Sequence, residues 1–344
     1  MQEYNIDKFG WPHKKIKFKP PKLLYNKEII FIPKIFKRKI SYCVDVRKGE
    51  TLTGWYIDKV LANFTFKNIV KLKNISLPII FFNKLIIILK KIIKYKKTKL
   101  KKNEIILFGP YSDAYAHQLH EFIIRLLYIN DSNLKKNKIL LDQNLKKILN
   151  SKIFRYIFKN LNISFYKNNE NTIFQNVNYL THIENRFKNK ILDTNVRLIR
   201  KKCFEYFKLN KIKFSSPKYV LASRKKAKRR HLLNEDKLFK KLSKFGFQRI
   251  YFEDLSFENQ IYLSLNAKIL IGYHGTAFTN AGLFMDKKTH IIEIMHEKYP
   301  QGHGKLFCQI QGSINKRIFC EKNFDNLDGV CNENKIINYI KKII

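Results

Sequence analysis

The chain has 344 residues, 45% of them hydrophobic and 14% aromatic, which provides for about two domains with sizeable cores and excludes wholesale disorder. Lys and Arg number 69 against 27 Asp and Glu, a formal charge of +42. No run of 18 uncharged apolar residues occurs, which excludes a membrane-spanning helix on sequence grounds.

The charge admits two readings. One is an anionic partner: nucleic acid, phospholipid headgroups, or a sugar nucleotide with an acidic acceptor. The other is a Lys-rich composition that scatters lysines over every solvated face, and the even spread of basic residues along the chain favours it. Five cysteines (Cys43, Cys203, Cys308, Cys320 and Cys331) form no C-x-x-C and no zinc spacing. The opening "MQEYNIDKFGWPHKKIKFKP" has no apolar core of a signal peptide. Reduced thiols and a cytoplasmic location are therefore expected, with a disulfide among the last three cysteines left open.

In the first hundred residues, apolar runs such as "EIIFIPKIF" are broken by Pro and Lys, as edge strands and loops are. The stretch 81–95, "FFNKLIIILKKIIKY", puts Phe81, Leu85, Ile88, Leu89 and Ile92 on one helical face and Lys84, Lys90, Lys91 and Lys94 on the other. It reads as an amphipathic helix packed on its own domain, with peripheral contact to an anionic membrane surface as the alternative.

From residue 104 the pattern turns regular. "EIILFG" predicts a buried strand, 114–130 a helix, "KILLD" a strand, 143–161 a helix and "NISFY" a strand. A helix near 194–208 follows, and "FSSPKY" marks a junction. Beyond it, "YVLASR", "FQRIYF", "AKILIGY" and "THIIEIM" predict strands, alternating with helices at 234–245, 256–266 and 276–285. Ser256, three residues before Asn259, is the expected cap of the second of these helices. The alternation predicts an α/β fold with a Rossmann-like unit in the second half. The expected domains are 1–212, an α/β domain; 213–330, a Rossmann-like domain; and 331–344, a closing helix.

Between Lys268 and Asp286 no Lys, Arg, Asp or Glu occurs. "AKILIGY" has the continuous apolar character of a central parallel strand. His274-Gly275-Thr276 then leads into a helix, where Gly275 admits a close backbone approach and the first amides can hold phosphate oxygens. Thr276 and Thr279 offer hydroxyls and Asn280 an amide. A second cluster, "SRKKAKRRHLLNE", sets Arg224 and Arg230 at the end of another strand, where guanidinium groups can grip a diphosphate; its bland reading is a solvated basic loop.

The order of these motifs resembles the catalytic region of glycosyltransferase family 61, over about residues 105–296. Arg224, Arg230, Asn234, Glu235, Ser256, Gln260, His274, Gly275, Thr279, Asn280 and Glu293 fall in the family's sequence of motifs, and His117, Glu121 and Arg125 fall at the matching places of an upstream helix. Thr276-Ala277-Phe278 departs from the usual Ala-Gly-Leu, and Ala114 stands where Asn is common; these bear on donor and acceptor choice. The family includes plant xylan pentosyltransferases, animal protein O-GlcNAc transferases and proteins of polysaccharide biosynthesis. The resemblance implies a GT-B architecture, two Rossmann-like domains facing across a cleft, and an inverting hexosyl- or pentosyltransferase. It would move sugar from a nucleotide-sugar donor, UDP-linked, to a glycan or glycoconjugate. Arg224, Arg230, Asn234, His274, Gly275, Thr276, Thr279, Asn280 and Glu293 would bind the donor.

Inversion needs a base for the acceptor hydroxyl. His117 is the first candidate and Glu121 the second, one helical turn apart. His117, His120 and Glu121 match no zinc-protease spacing, so metal-independent chemistry without a cofactor is expected. The rival readings are a basic nucleic-acid-binding protein and an enzyme like polysaccharide pyruvyl transferase.

Overall fold

The computed structural model describes residues 104–108, 112–166, 190–297 and 303–344, together with the strand segments 23–35, 40–45, 50–51, 96–99 and 172–180. The expected amphipathic helix at 81–95 lies outside the described residues. Described residues fall into two compact units, one within Lys19–Asn150 and Phe158–Glu184, the other within Ser151–Ile157 and Asn185–Ile344. Among the described residues no helix is long and apolar enough to cross a membrane.

The first unit carries an eight-stranded mixed sheet. Its strands are β1 (Leu23–Ile35), β2 (Ile40–Asp45), β3 (Glu50–Thr51), β4 (Lys96–Lys99), β5 (Glu104–Leu107), β6 (Lys138–Asp142), β7 (Asn162–Tyr166) and β8 (Thr172–Leu180). The order is β3-β2-β1-β8-β5-β6-β7, with β4 also pairing β8. β5, β6 and β7 run parallel, whereas β1 is antiparallel to β2 and β8. The β1 register slips between Ile32 and Ile35, around Pro33, which has no amide to give a ladder. All four residues of β5 are buried. The helix that follows, α1, spans 115–130 and is interrupted by a π-helical turn over Gln118–Ile123.

The single helix expected at 143–161 is two pieces. A helical run ends at Leu149, and α2 (Lys152–Ile157) starts after a break in which Ser151 Oγ accepts from Phe154 N at 3.4 Å. The two pieces belong to different units, because α2 packs its Phe154 ring 5.1 Å from that of Phe257 and its Lys152 amide donates to Glu258.

The second unit is a five-stranded, all-parallel sheet of β9 (Tyr219–Ser223), β10 (Gln248–Tyr251), β11 (Ile269–Tyr273), β12 (His290–Met295) and β13 (Ile314–Phe319). Its order, β10-β9-β11-β12-β13, is 2-1-3-4-5 in order of appearance. Its helices, besides α2, are α3 (Lys190–Leu209), α4 (Glu235–Leu242), α5 (Phe257–Asn266), α6 (Ala277–Phe284), α7 (His303–Gln311) and α8 (Glu333–Ile340). Alternate residues of the strands feed two cores. Leu221, Ile269, Ile271, Ile292 and Ile318 pack with Leu238 and Leu242 of α4 and Ile336 and Ile340 of α8. Val220, Leu270 and Ile291 pack on the other face with Leu263 of α5, Phe278 and Ala281 of α6 and Cys308 of α7. Each such aliphatic side chain, taken fully from water, contributes about 1.5–3 kcal/mol.

This accounts for the charge-free stretch: every residue of β11 is buried, as are six of the eight residues of α6. Ser256 caps α5, accepting from Asn259 N at 3.2 Å. α3 is tied to this unit by Arg200, which donates to Phe284 O and Asp286, and by Gln311, which donates to the carbonyls of Val196 and Leu283.

Candidate functional site

In a 2-1-3-4-5 sheet the chain leaves β9 and β11 in opposite directions, opening a crevice at their carboxyl ends where doubly wound folds take ligands. The two motifs from the sequence are the two loops at this point. β9 ends at Ser223 and is followed by Arg224; β11 ends at Tyr273 and is followed by His274-Gly275-Thr276. The strands approach closely, for a Cβ on Gly272 would stand 2.4 Å from Ala222 O.

Arg224 and Gly275 meet. A Cβ on Gly275 would lie 1.9 Å from Arg224 Nη1, so the guanidinium rests where a side chain would be. Arg224 is half-buried, and its donors go to backbone carbonyls: Nε to Arg230 O and Nη2 to Arg229 O, each at 3.0 Å. Arg230 supplies that carbonyl from a left-handed backbone, φ +64°, a conformation that costs a non-glycine residue about 1 kcal/mol or more. Burial first, and then the neighbouring Arg230, pull the Arg224 guanidinium down to about 10, with Glu253 acting in the opposite sense. A desolvated cation thus sits beside another and against the positive end of α6. The carbonyls of Arg229 and Arg230 and the Glu253 carboxylate offset part of that cost, and an anion in the crevice would offset more.

Glu235, the first residue of α4, holds the end of β9. Its carboxylate accepts from Ser223 Oγ at 2.6 Å and from Arg224 N at 3.4 Å. Asn234 faces away from the crevice, exchanging hydrogen bonds with both the amide and the carbonyl of Cys331 and donating to Glu333. The 231–234 segment is further tied to the chain after β13, where Gly329 N donates to His231 O and Leu233 N to Gly329 O. Asn280 is fully buried and donates to Gln260 Oε1 at 3.0 Å, bracing α6 on α5. Thr276 is exposed and Thr279 half-buried.

Glu293 is 1% exposed. Its Oε1 lies 2.5 Å from His274 Nδ1 and its Oε2 3.5 Å from Arg317 Nε. Burial raises its proton affinity, but His274 and Arg317 more than offset that and hold the carboxyl below the usual range. Arg317, absent from the sequence reading, is the register partner of Glu293 on β13. The alternating "INKRIF" is the signal that could have placed it there.

In the other unit, the π-helical turn of α1 carries the second cluster, and such turns recur at functional sites. His117 Nδ1 lies 2.8 Å from Glu121 Oε1, with His117 20% exposed and Glu121 almost wholly buried. His120 Nδ1 is 4.0 Å from the same oxygen. The ligand-type atoms of His117, His120 and Glu121 all fall within 4.8 Å of one another, a set that could hold a cation as well as a proton. One turn on, fully buried Arg125 donates from Nε to Glu121 O and from Nη1 to Leu180 O. Beside them Gln118 donates to the carbonyls of Ser112 and Asn144, and Ser112 Oγ donates to buried Asp142.

The family model Glycosyltransferase 61 matches residues 115–292, slightly more than half of the chain. It begins in α1 and ends in β12. A stretch of 85 residues, 24% of this chain, is 37% identical to the EGF domain-specific O-linked N-acetylglucosamine transferase of Drosophila melanogaster. The match covers 16% of that protein's length.

Proposed function

The chain belongs to glycosyltransferase family 61, and we propose from that premise that it transfers a sugar from a nucleotide-sugar donor, UDP-linked, to a hydroxyl of a glycan or glycoconjugate, with inversion at the anomeric carbon. The observation that carries the donor reading is Arg224 seated on Gly275 at the head of α6, at the switch point of the parallel sheet. Arg224, Arg230 and the first amides of α6 would take the diphosphate, and Thr276 and Thr279 lie on the same turn and helix. Similarity to a transferase of N-acetylglucosamine favours a hexosyl over a pentosyl donor.

The reaction in this reading needs two things from the protein. The bond between the anomeric carbon and the β-phosphate oxygen breaks, and the negative charge arriving on the diphosphate is met by donors already aimed at it. The acceptor hydroxyl loses its proton as it attacks from the opposite face. Glu121 holds the His117 ring through Nδ1, and His117, the more exposed of the pair, is the base. Asn234, Asn280 and Glu293 support the donor site from behind rather than touching the donor. Donor charge handled by protein cations makes the chemistry metal-independent, and the architecture that goes with this reading is GT-B.

The test is release of nucleoside diphosphate from a panel of nucleotide sugars, with and without hydroxyl-bearing glycans, followed by NMR of the anomeric configuration of any product. Transfer with inverted configuration supports the proposal. Retained configuration removes the inverting mechanism, and turnover of no sugar nucleotide removes the function.

A further inference from the structure

We propose that Glu293 and Arg317 are positioning residues for His274, making its imidazole the group that donates a hydrogen bond to the departing diphosphate; this rests on the donor reading above. Burying a carboxylate costs several kcal/mol, and buried ion pairs are commonly replaceable by apolar residues with no loss of stability. The sequence nevertheless keeps three ionisable groups in line across the carboxyl ends of β11, β12 and β13. Glu293 is opposite Gly272 on one side and Arg317 on the other. His274 Nδ1 is 2.5 Å from Glu293 Oε1, and Arg317 Nε is 3.5 Å from Oε2.

With Glu293 ionised, Nδ1–H donates to it and fixes the ring plane. In this proposal Nε2 serves the diphosphate, and it donates only when the ring is the imidazolium, the form that an adjacent buried carboxylate favours; 15% of the side chain reaches solvent. His274 directly precedes Gly275, so its ring and the first amides of α6 issue from one turn, on which the Arg224 guanidinium from the β9 loop packs. The other groups facing Glu293 are Asn315 of β13 and Cys308 of α7, whose thiol burial pushes up to about 12 and so keeps neutral. In the transfer His274 exchanges no atoms. The electron pair of the broken C–O bond goes to the diphosphate, and the imidazolium Nε2–H stabilises the oxygen that receives it.

The experiment combines calorimetric binding of UDP and of uridine with 15N NMR of the His274 ring, in the wild type and in Glu293→Gln. A structural role for Glu293 would weaken both ligands or neither. The positioning role predicts unchanged uridine binding, about tenfold weaker UDP binding, the worth of one charge-assisted hydrogen bond, and a changed His274 15N pattern. His274→Ala should show the same selective loss, and the double variant no more. Should Glu293→Gln not fold, His274→Ala at its partly exposed position carries the test, and equal loss for UDP and uridine overturns the inference. If the wild type binds UDP and Glu293→Gln matches it in affinity and 15N pattern, the inference falls and the donor reading stands. If the wild type does not bind UDP, both fall.

Discussion

Gly275→Ala isolates the contact on which the proposed donor site depends. The new Cβ would lie 1.9 Å from Nη1 and 3.0 Å from Cζ of Arg224, so the two cannot coexist as placed. Gly275 is not in the left-handed region, so alanine brings no backbone strain. The obstacle is the far end of a flexible side chain, which can swing away at the expense of its bonds to the carbonyls of Arg229 and Arg230. Losing the two bonds, both partly open to water, costs about 1–3 kcal/mol, of which removing glycine's freedom from the unfolded chain returns about 0.4–1 kcal/mol. The fold should therefore survive with a melting temperature within a few degrees of the wild type. The displaced guanidinium no longer meets the diphosphate, and a hydrogen bond to a charged group is worth about 1.5–3 kcal/mol. UDP affinity should fall about ten- to hundredfold by isothermal titration. Arg224→Ala should lose about as much, and because both changes remove the same guanidinium, the double variant should be no weaker than Arg224→Ala alone. Losses that add, or a Gly275→Ala protein that binds UDP like the wild type, would refute the role given to this contact.

Other expectations follow from the same structure. His117→Ala should lower kcat by about a hundredfold or more while leaving UDP affinity unchanged, as loss of a general base does; full turnover in both His117→Ala and Glu121→Gln would remove the base assignment. Arg125→Met strands two carbonyls, Glu121 O and Leu180 O, in the core, and should cost about 2–4 kcal/mol in denaturant unfolding; a change under about 1 kcal/mol would mean the π-turn does not need its guanidinium. Glu293 has a folded proton affinity below its unfolded value of about 4.5, so its contribution is complete above that pH and lost as pH falls through the folded value. Acid melting curves should accordingly flatten in Glu293→Gln, and superimposable curves would contradict the direction of the shift.

The parallel sheet of the second unit was legible because its strands are short, nearly unbroken apolar runs separated by amphipathic helices. Burial on both faces leaves no other reading of "AKILIGY". The mixed sheet was not. β1 is interrupted by Lys and Pro33, and β8, "TIFQNVNYL", alternates too weakly to announce its partners. The break at Asn150-Ser151 was hidden because both flanking pieces keep a helical period, and only the Ser151 cap distinguishes them. α7 and β13 were missed with Arg317, which came into view once its strand paired with β12.

Within the site, motif order identified the two turns and not the direction of each side chain. Arg224 and Gly275 do meet at the crevice. Asn234 turns to Cys331, Asn280 to Gln260, and Glu293 to His274, because a polar residue next to a buried strand or helix must first satisfy its own hydrogen bonds. The net charge of +42 carried little of this, since the cation that matters is the half-buried one.

The most direct measurement is a thermal-shift titration of the wild type and Arg224→Ala with a panel of nucleoside diphosphates, with duplex RNA as a charge control, at low and moderate salt. A specific ligand at a hundred times its dissociation constant stabilises by about 2.7 kcal/mol, a readily measured shift. The expected result is selective stabilisation of the wild type by UDP, resistant to moderate salt and absent in Arg224→Ala. Stabilisation by RNA alone, vanishing as salt rises, would instead show that the chain's surface charge binds polyanions and that the Arg224–Gly275 turn is not a diphosphate site.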